Sequence, residues 1–206
     1  AASLLITEVL FAPDAPVMGR QWVELYNAGD TFVDLSNYSL GWSGLSSFAD
    51  FRQALDPILL APGETYVIGD VSDVGNYAPI VQQQSGFSPA LGDGMTGADG
   101  VALFFLEAQN VTASSLPVDS VLWGTSNTKM LLAEDGGVDM EVTPLPSAGS
   151  SIVRVSATSD IFVDAQGGFP NTPIFVTQVA PSTVPNTATQ GSILIDGFGF
   201  DPLLDT

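Results

Sequence analysis

Residues 22–35, Trp-Val-Glu-Leu-Tyr-Asn-Ala-Gly-Asp-Thr-Phe-Val-Asp-Leu, contain the pattern that decides the fold class. The side chains of Trp22–Tyr26 alternate between apolar and mixed faces, as in a half-buried β-strand. Asn27–Asp30 has the composition of a turn, and Phe32–Leu35 returns to strand-forming residues. This stretch therefore predicts two strands joined in a hairpin.

Short apolar runs of the same kind recur along the chain, and 21 glycines and 14 prolines interrupt them. Few windows of helical length escape such a breaker, so no long amphipathic helix is expected. The further predicted strands are Leu4–Leu10, Tyr38–Trp42, Thr65–Gly69, Val101–Leu106, Val118–Gly124 and Ser151–Val155, the last of these closing the first unit. The pattern indicates an all-β protein, whose expected core includes Ile6, Val23, Leu25, Val33, Leu35, Val67, Leu103, Phe105, Leu122 and Val153.

The charge of the chain excludes several classes of partner. Four Lys plus Arg stand against 23 Asp plus Glu, which gives a net charge of −19. Nucleic-acid binding needs clustered cations, and docking on an anionic membrane surface needs them for the same reason. We therefore expect no nucleic-acid partner. We also expect no membrane insertion, because no apolar run approaches the length of a spanning segment.

The composition also restricts the chemistry that the chain can perform. It contains no His and no Cys. Triads that use histidine, thiol nucleophiles, Cys/His zinc sites and iron–sulfur clusters all require one of these residues. Carboxylates are the only abundant reactive groups. Glu8 and Glu24 would form an acid pair if their strands were neighbours, but solvent-facing strand carboxylates are the simpler interpretation.

The order of motifs resembles the lamin tail domain family. Trp22–Asn27 followed by Val33–Leu40 is similar to the opening strands of that family, and Leu60–Gly63 with Val67-Ile68 looks like its next signature. The late motifs are Leu91–Asp93 before Gly100–Leu103, and Ser151–Arg154 as in the bacterial branch. The resemblance covers residues 3–172. It implies an immunoglobulin-like β-sandwich and a binding or structural role, with no catalytic residues to carry over.

The C-terminal segment resembles a different family. Val176–Ser182 and Ile193–Phe200 look like the first strands of an IPT/TIG domain, which is also immunoglobulin-like. We therefore expect an immunoglobulin-like sandwich of the lamin tail type over residues 1–172, and a partial second immunoglobulin-like unit over residues 173–206. Because a lone hairpin is marginally stable in water, the second unit is either truncated or packed on the first.

This organisation predicts a non-catalytic interaction, adhesion or structural module in an exported, extracellular or cell-surface multidomain protein. The sequence begins without Met and without a basic segment, so we expect a signal peptide to have been cleaved, or the chain trimmed, ahead of Ala1. The expected partners are other domains of the parent chain, a cell-surface protein or a polysaccharide. The alternative is a calcium-dependent carbohydrate-binding module that targets an attached enzyme.

Two sets of residues are candidates for these binding roles. Trp22 and Tyr26 lie on one face of their strand and would form an exposed aromatic surface, although sandwich cores also use such residues. Calcium needs six to eight oxygen ligands, and Asp93 with Asp99 is the first candidate pair because these acids flank a glycine-rich turn. The other acidic loops are Asp70–Asp73 with Asn76, and Glu134-Asp135 with Asp139.

Overall fold

The computed structural model describes residues 3–13, 20–43, 46–69, 81–88, 90–91, 98–146, 149–158, 162–165, 175–180 and 194–198. Within these ranges the chain is all-β, with two short 3-10 turns and no α-helix. The strands are β1 (Leu4–Leu10), β2 (Trp22–Asn27), β3 (Val33–Asp34), β4 (Ser39–Trp42), β5 (Phe51–Ala54), β6 (Leu59–Leu60), β7 (Thr65–Gly69), β8 (Gln83–Gln84), β9 (Ala98–Phe104), β10 (Asp119–Gly124), β11 (Val142–Thr143), β12 (Ser151–Arg154), β13 (Phe162–Ala165), β14 (Phe175–Ala180) and β15 (Leu194–Phe198).

Two large sheets form an immunoglobulin-like β-sandwich. The first has the strand order β13-β12-β1-β2-β7-β8 and the second has the order β11-β10-β9-β4-β5. The main core lies between them, because Ile6, Leu25 and Ile68 of the first sheet share one buried cluster with Leu40 and Leu103 of the second. The all-β fold predicted from the apolar pattern and the sandwich implied by the family resemblance are therefore both confirmed.

The hairpin predicted over residues 22–35 is wrong, although both of its strands exist. β2 pairs with β1 on one side and β7 on the other, so neither edge remains for β3. β3 pairs instead with the short strand β6. The Asn27 side chain stabilises the connection between β2 and β3, because its Nδ2 donates to the carbonyl oxygens of Thr31 at 2.8 Å and Leu60 at 3.0 Å.

The first sheet continues beyond β12, which corresponds to the predicted strand Ser151–Val155 that was expected to close the first unit. β12 pairs with β1 in antiparallel fashion, and β13 then adds to the free side of β12. The sandwich sheet therefore extends to Ala165. The two tail strands, β14 and β15, pair with each other in antiparallel fashion in a separate two-stranded sheet.

Nine of the ten predicted core residues are buried, and Phe105 is the exception with an exposed fraction of 58%. The buried run ends at Phe104, where the pairing of β9 with β4 also ends, so Phe105 lies outside the sheet. Phe105 packs edge-on against Tyr38 with the ring centroids 5.0 Å apart. Gly63, which follows Pro62 in the turn between β6 and β7, has the positive φ (78°) that glycine adopts readily.

Part of the outer face of each sheet is also buried, although the outward residues Arg52 and Ala54 of β5 are exposed. On the second sheet, Phe48 packs over Ala98, Ala102, Phe104 and Leu122. On the first sheet, a small cluster of Leu10, Trp22 and Val67 faces away from the main core. An immunoglobulin-like sandwich ordinarily exposes these faces, so burial on both sides extends the apolar interior beyond a single layer.

Candidate functional site

A β-bulge in β1 organises the polar interior of the sandwich. Ile6 pairs with Leu25 and Glu8 pairs with Glu24, so Thr7 is an extra residue in the ladder. A bulge of this kind re-aims the side chains that follow it and leaves backbone groups outside the regular pairing. As a result Glu8 lies opposite Glu24 on the outer face, and the backbone of Ile6 is open to side-chain partners.

A buried ion pair binds those backbone groups and joins the two sheets. The Arg154 Nη2, on β12, lies 2.6 and 2.7 Å from the two carboxylate oxygens of Asp119 on β10. The Ile6 amide donates to Asp119 Oδ2 at 2.5 Å, and Arg154 Nε donates to the Ile6 carbonyl at 2.8 Å. The guanidinium also lies over the Phe162 ring at 4.8 Å from its centroid. Both charged groups are therefore paired inside the protein.

The electrostatics of this pair depend on its burial. Burial raises the pKa of the Asp119 carboxyl to about 7; the Arg154 guanidinium and the Ile6 amide act in the opposite direction, and the charge of Glu134 adds to the rise. In the unfolded chain the same acid has an ordinary pKa of 3.8. The contribution of Asp119 to the free energy of unfolding is therefore fully present below pH 3.8 and is lost as the pH rises towards about 7.

Glu8 and Glu24 are neighbours, as the acid-pair hypothesis requires, but they do not lie at an open surface. Their exposed fractions are 1% and 0%. The Thr7 hydroxyl donates to Glu24 Oε1 at 2.6 Å, and the Ser151 hydroxyl donates to Glu8 Oε1. These hydrogen bonds link β1 to both of its neighbours, so the pair acts as a structural polar network in the outer face of the sheet.

The expected exposed aromatic face is contradicted for Trp22, whose exposed fraction is 1%. Its ring packs with Leu10 and Val67 in the outer-face cluster. Tyr26, two residues further along the same strand, is half-buried. Trp22 is not accessible for stacking on a ligand because this outer face is covered.

Of the candidate calcium ligands Asp93 and Asp99, only Asp99 lies among the described residues. Asp99 is buried and forms an ion pair with Lys129, and the Ser43 hydroxyl donates to it at 3.3 Å. Asp93 lies outside the described residues, as do Asp70–Asp73 and Asn76. In the part of the chain that the structure describes, no group of three or more acidic side chains is arranged to hold a metal ion.

The remaining acidic loop lines a surface cavity of about 400 Å³ beside Ser120. Its carboxylates accept hydrogen bonds from nearby groups: Glu134 from the Ser120 hydroxyl at 2.8 Å, Asp135 from the Gly137 amide at 2.8 Å and Asp139 from the Glu141 amide at 2.9 Å. Such bonds are usual for acids that stabilise turns. Each of these acids therefore helps to shape the loop.

The Asp119–Arg154 pair is not among the sites predicted from the sequence. The signal that could have found it is the scarcity of cations, because Arg154 is one of only four in the chain and lies on an apolar strand. A lone arginine in such a strand needs a buried acid as its partner. Which of the 23 acids this would be depends on long-range pairing.

The two-sheet architecture, with hydrogen-bonded carboxylates inside it, defines an immunoglobulin-like β-sandwich module. Residues 1–141 match the family described as Lamin Tail Domain, and this is more than half of the chain. The chain therefore belongs to the lamin tail domain family, an immunoglobulin-like and generally non-catalytic family. No curated protein and no solved structure matches the chain. Among the described residues, no helix has the length and apolar character needed to cross a membrane.

Proposed function

We propose that this chain is a non-catalytic interaction, adhesion or structural module of an exported, bacterial-type multidomain protein. Its partners are other domains of its parent chain, a cell-surface protein or a polysaccharide. The observation that carries the proposal is the use of the buried carboxylates. Asp119 is bound by Arg154, and Glu8 and Glu24 accept hydrogen bonds from neighbouring strands. These buried acids are thus hydrogen-bonded within the sandwich, which supports a structural role for them.

The strongly acidic character of the chain supports the same proposal. A net charge of −19 keeps a module soluble and separates it from like-charged neighbours. It also favours cationic partners over anionic polymers. The IPT/TIG-like tail supports a modular parent, because its two described strands form a sheet of their own.

The proposal predicts no hydrolysis that depends on the buried acid pair. Wild-type protein, Glu8→Gln and Glu24→Gln would be assayed against glycoside, ester and phosphoester substrates. Glutamine keeps an acceptor oxygen for the Ser151 or Thr7 hydroxyl but cannot act as a general base. We expect the wild type and both variants to give the rate of buffer alone.

A contaminating hydrolase would act equally in all three preparations, so the variants also serve as the control. Turnover by the wild type that Glu8→Gln abolishes, while the melting temperature stays close to that of the wild type, would overturn the proposed function.

The calcium-dependent carbohydrate-binding alternative predicts a metal-dependent gain in stability. A ligand present at about 100 times its dissociation constant adds roughly 2.7 kcal/mol to the free energy of unfolding. Because Asp99 is paired with Lys129, we expect the same melting temperature in EDTA, calcium and magnesium at equal ionic strength. A rise specific to calcium, lost in Asp93→Asn, would favour the alternative.

A further inference from the structure

The two-stranded ribbon of β3 and β6 presents an apolar surface at the edge of the sandwich. Val33 and Leu60 form its inner face and are buried. On the outer side, Phe32 has an exposed fraction of 66% and Leu59 of 65%, and the adjacent Ile58 is also exposed. Two large apolar side chains that are about two-thirds exposed thus lie on or beside one small ribbon, which makes this surface a candidate for interaction.

The ribbon is held firmly on the sandwich. Asn27 is fully buried, and its Nδ2 donates to two carbonyl oxygens. One belongs to Thr31, just before β3, and the other to Leu60 in β6. The Leu35 amide donates to the Ile58 carbonyl at 2.9 Å, and the Asn27 amide donates to the Glu64 carbonyl at 3.0 Å. The exposed apolar side chains therefore cannot turn inward without breaking these bonds. A surface fixed in this way loses little entropy on binding.

The charges around the ribbon are of one sign. Residues 30–37 and 56–64 include Asp30, Asp34, Asp56 and Glu64, with no Lys or Arg. All four acids are exposed, and Asp34 lies directly opposite Leu59. Hydrogen bonds from Ser36 lower the pKa of Asp34, so this acid is ionised at neutral pH. The ribbon thus carries exposed apolar side chains with exposed acids on the same two segments of chain, one of them directly opposite Leu59.

We propose that this ribbon surface, defined by Phe32, Ile58 and Leu59 with the four acids of the same two segments, binds a basic peptide segment of a partner protein in which Lys or Arg alternates with aliphatic side chains. The aliphatic groups cover Phe32 and Leu59, and the cations pair with these carboxylates. A second copy of this chain does not suit the surface, because it would bring four further acids against the first four. The inference rests on the proposed function and names its partner class.

The test uses a short synthetic peptide of alternating lysine and leucine, titrated into the full chain and followed by calorimetry and by amide NMR shifts. Phe32→Ser/Leu59→Ser is expected to weaken binding about tenfold, because a few central apolar residues dominate such interfaces. Asp30→Asn/Asp34→Asn is expected to weaken it and to reduce its salt dependence. An asparagine at position 34 also caps the 3-10 turn Leu35–Asn37, as Asp34 does, so this variant should fold.

Controls separate this surface from general attraction to an acidic protein. Met140→Ser/Leu145→Ser removes two other exposed apolar side chains, and Asp135→Asn/Glu141→Gln removes two charges from another exposed loop. Both should bind the peptide nearly as the wild type does. A serine-for-leucine peptide should bind at least tenfold more weakly than the leucine peptide if apolar contact is needed.

Each contrary result overturns the inference: no binding of the leucine peptide, equal binding by Phe32→Ser/Leu59→Ser, or equal loss in the Met140 and Asp135 control variants. Association of the protein with itself through this surface, seen by analytical ultracentrifugation and abolished by Phe32→Ser/Leu59→Ser, also overturns it. None of these results involves turnover. They are therefore distinguishable from the Glu8-dependent hydrolysis that would overturn the proposed function.

Discussion

Replacement of Arg154 by methionine should lower the free energy of unfolding by about 3–5 kcal/mol, since it leaves a buried acid without its counter-charge. Methionine fills a similar volume but donates no hydrogen bonds. Asp119 then loses both contacts from Nη2, and the Ile6 carbonyl at the bulge loses its donor. Urea denaturation of the wild type and the variant would measure the loss.

The pH dependence of this loss identifies its cause. Without the guanidinium, the pKa of Asp119 should rise further above its value in the unfolded chain. The folded variant must then keep the acid protonated, and the deficit should be larger at pH 8 than at pH 5. An equal deficit at both pH values would mean that lost packing, and not the buried charge, is responsible.

Two further variants complete this experiment. Arg154→Lys keeps the charge but lacks the planar fork that reaches both Asp119 and the Ile6 carbonyl, so an intermediate loss is expected. Arg154→Met/Asp119→Leu should recover part of the stability, because neither charge of this pair then remains buried. Recovery stays incomplete, since the Ile6 amide has no acceptor in the double variant. A double variant less stable than Arg154→Met would contradict this account.

The strands could be predicted because their signals are local. Leu4–Leu10 and Thr65–Gly69 have the predicted bounds, since alternation and flanking turn residues determine them. Pairing is a long-range property, and the sequence near residue 22 does not show that β1 and β7 occupy both edges of β2. The proposed hairpin failed for this reason. The pairing of Glu8 with Glu24 depends on a single extra residue in β1, which leaves no mark in the apolar pattern.

The expected exposure of Trp22 was wrong because the burial of a side chain depends on what covers its face of the sheet. Trp22 and Glu24 alternate with Val23 and Leu25, so the pattern places them on the outer side of the sheet. In most sandwiches that side is solvated, whereas here Trp22 packs with Leu10 and Val67. Alternation gives the direction of a side chain relative to its neighbours. It gives no information about a second layer that lies above the sheet.

The second sheet is covered in a comparable way, and its cover depends on glycine. A Cβ atom at Gly100 would lie 2.5 Å from the Val121 carbonyl oxygen and 2.9 Å from the Phe48 ring. Gly41 has a similar environment, with the Phe48 carbonyl oxygen and the Phe104 ring next to the position of a Cβ. Backbone carbonyls cannot yield as a flexible side chain does. These two glycines therefore allow Phe48 to lie directly on the sheet.

Gly100→Ala should accordingly lower the free energy of unfolding by about 3 kcal/mol, because the added methyl group must displace β10 or the Phe48 ring. The melting temperature should fall by on the order of 10 °C, measured by circular dichroism or calorimetry. Gly86→Ala is the matched control, since a Cβ there meets no atom within 4 Å. That variant should stay within about 0.5 kcal/mol of the wild type.

A further variant distinguishes the sheet backbone from the Phe48 ring as the source of the strain at Gly100. Because the nearest atom is a carbonyl oxygen of the paired strand β10, loss of the ring contact alone does not relieve the overlap. Phe48→Ala should therefore fail to rescue Gly100→Ala, and full rescue would show that the strain lies in the cover and not in the sheet.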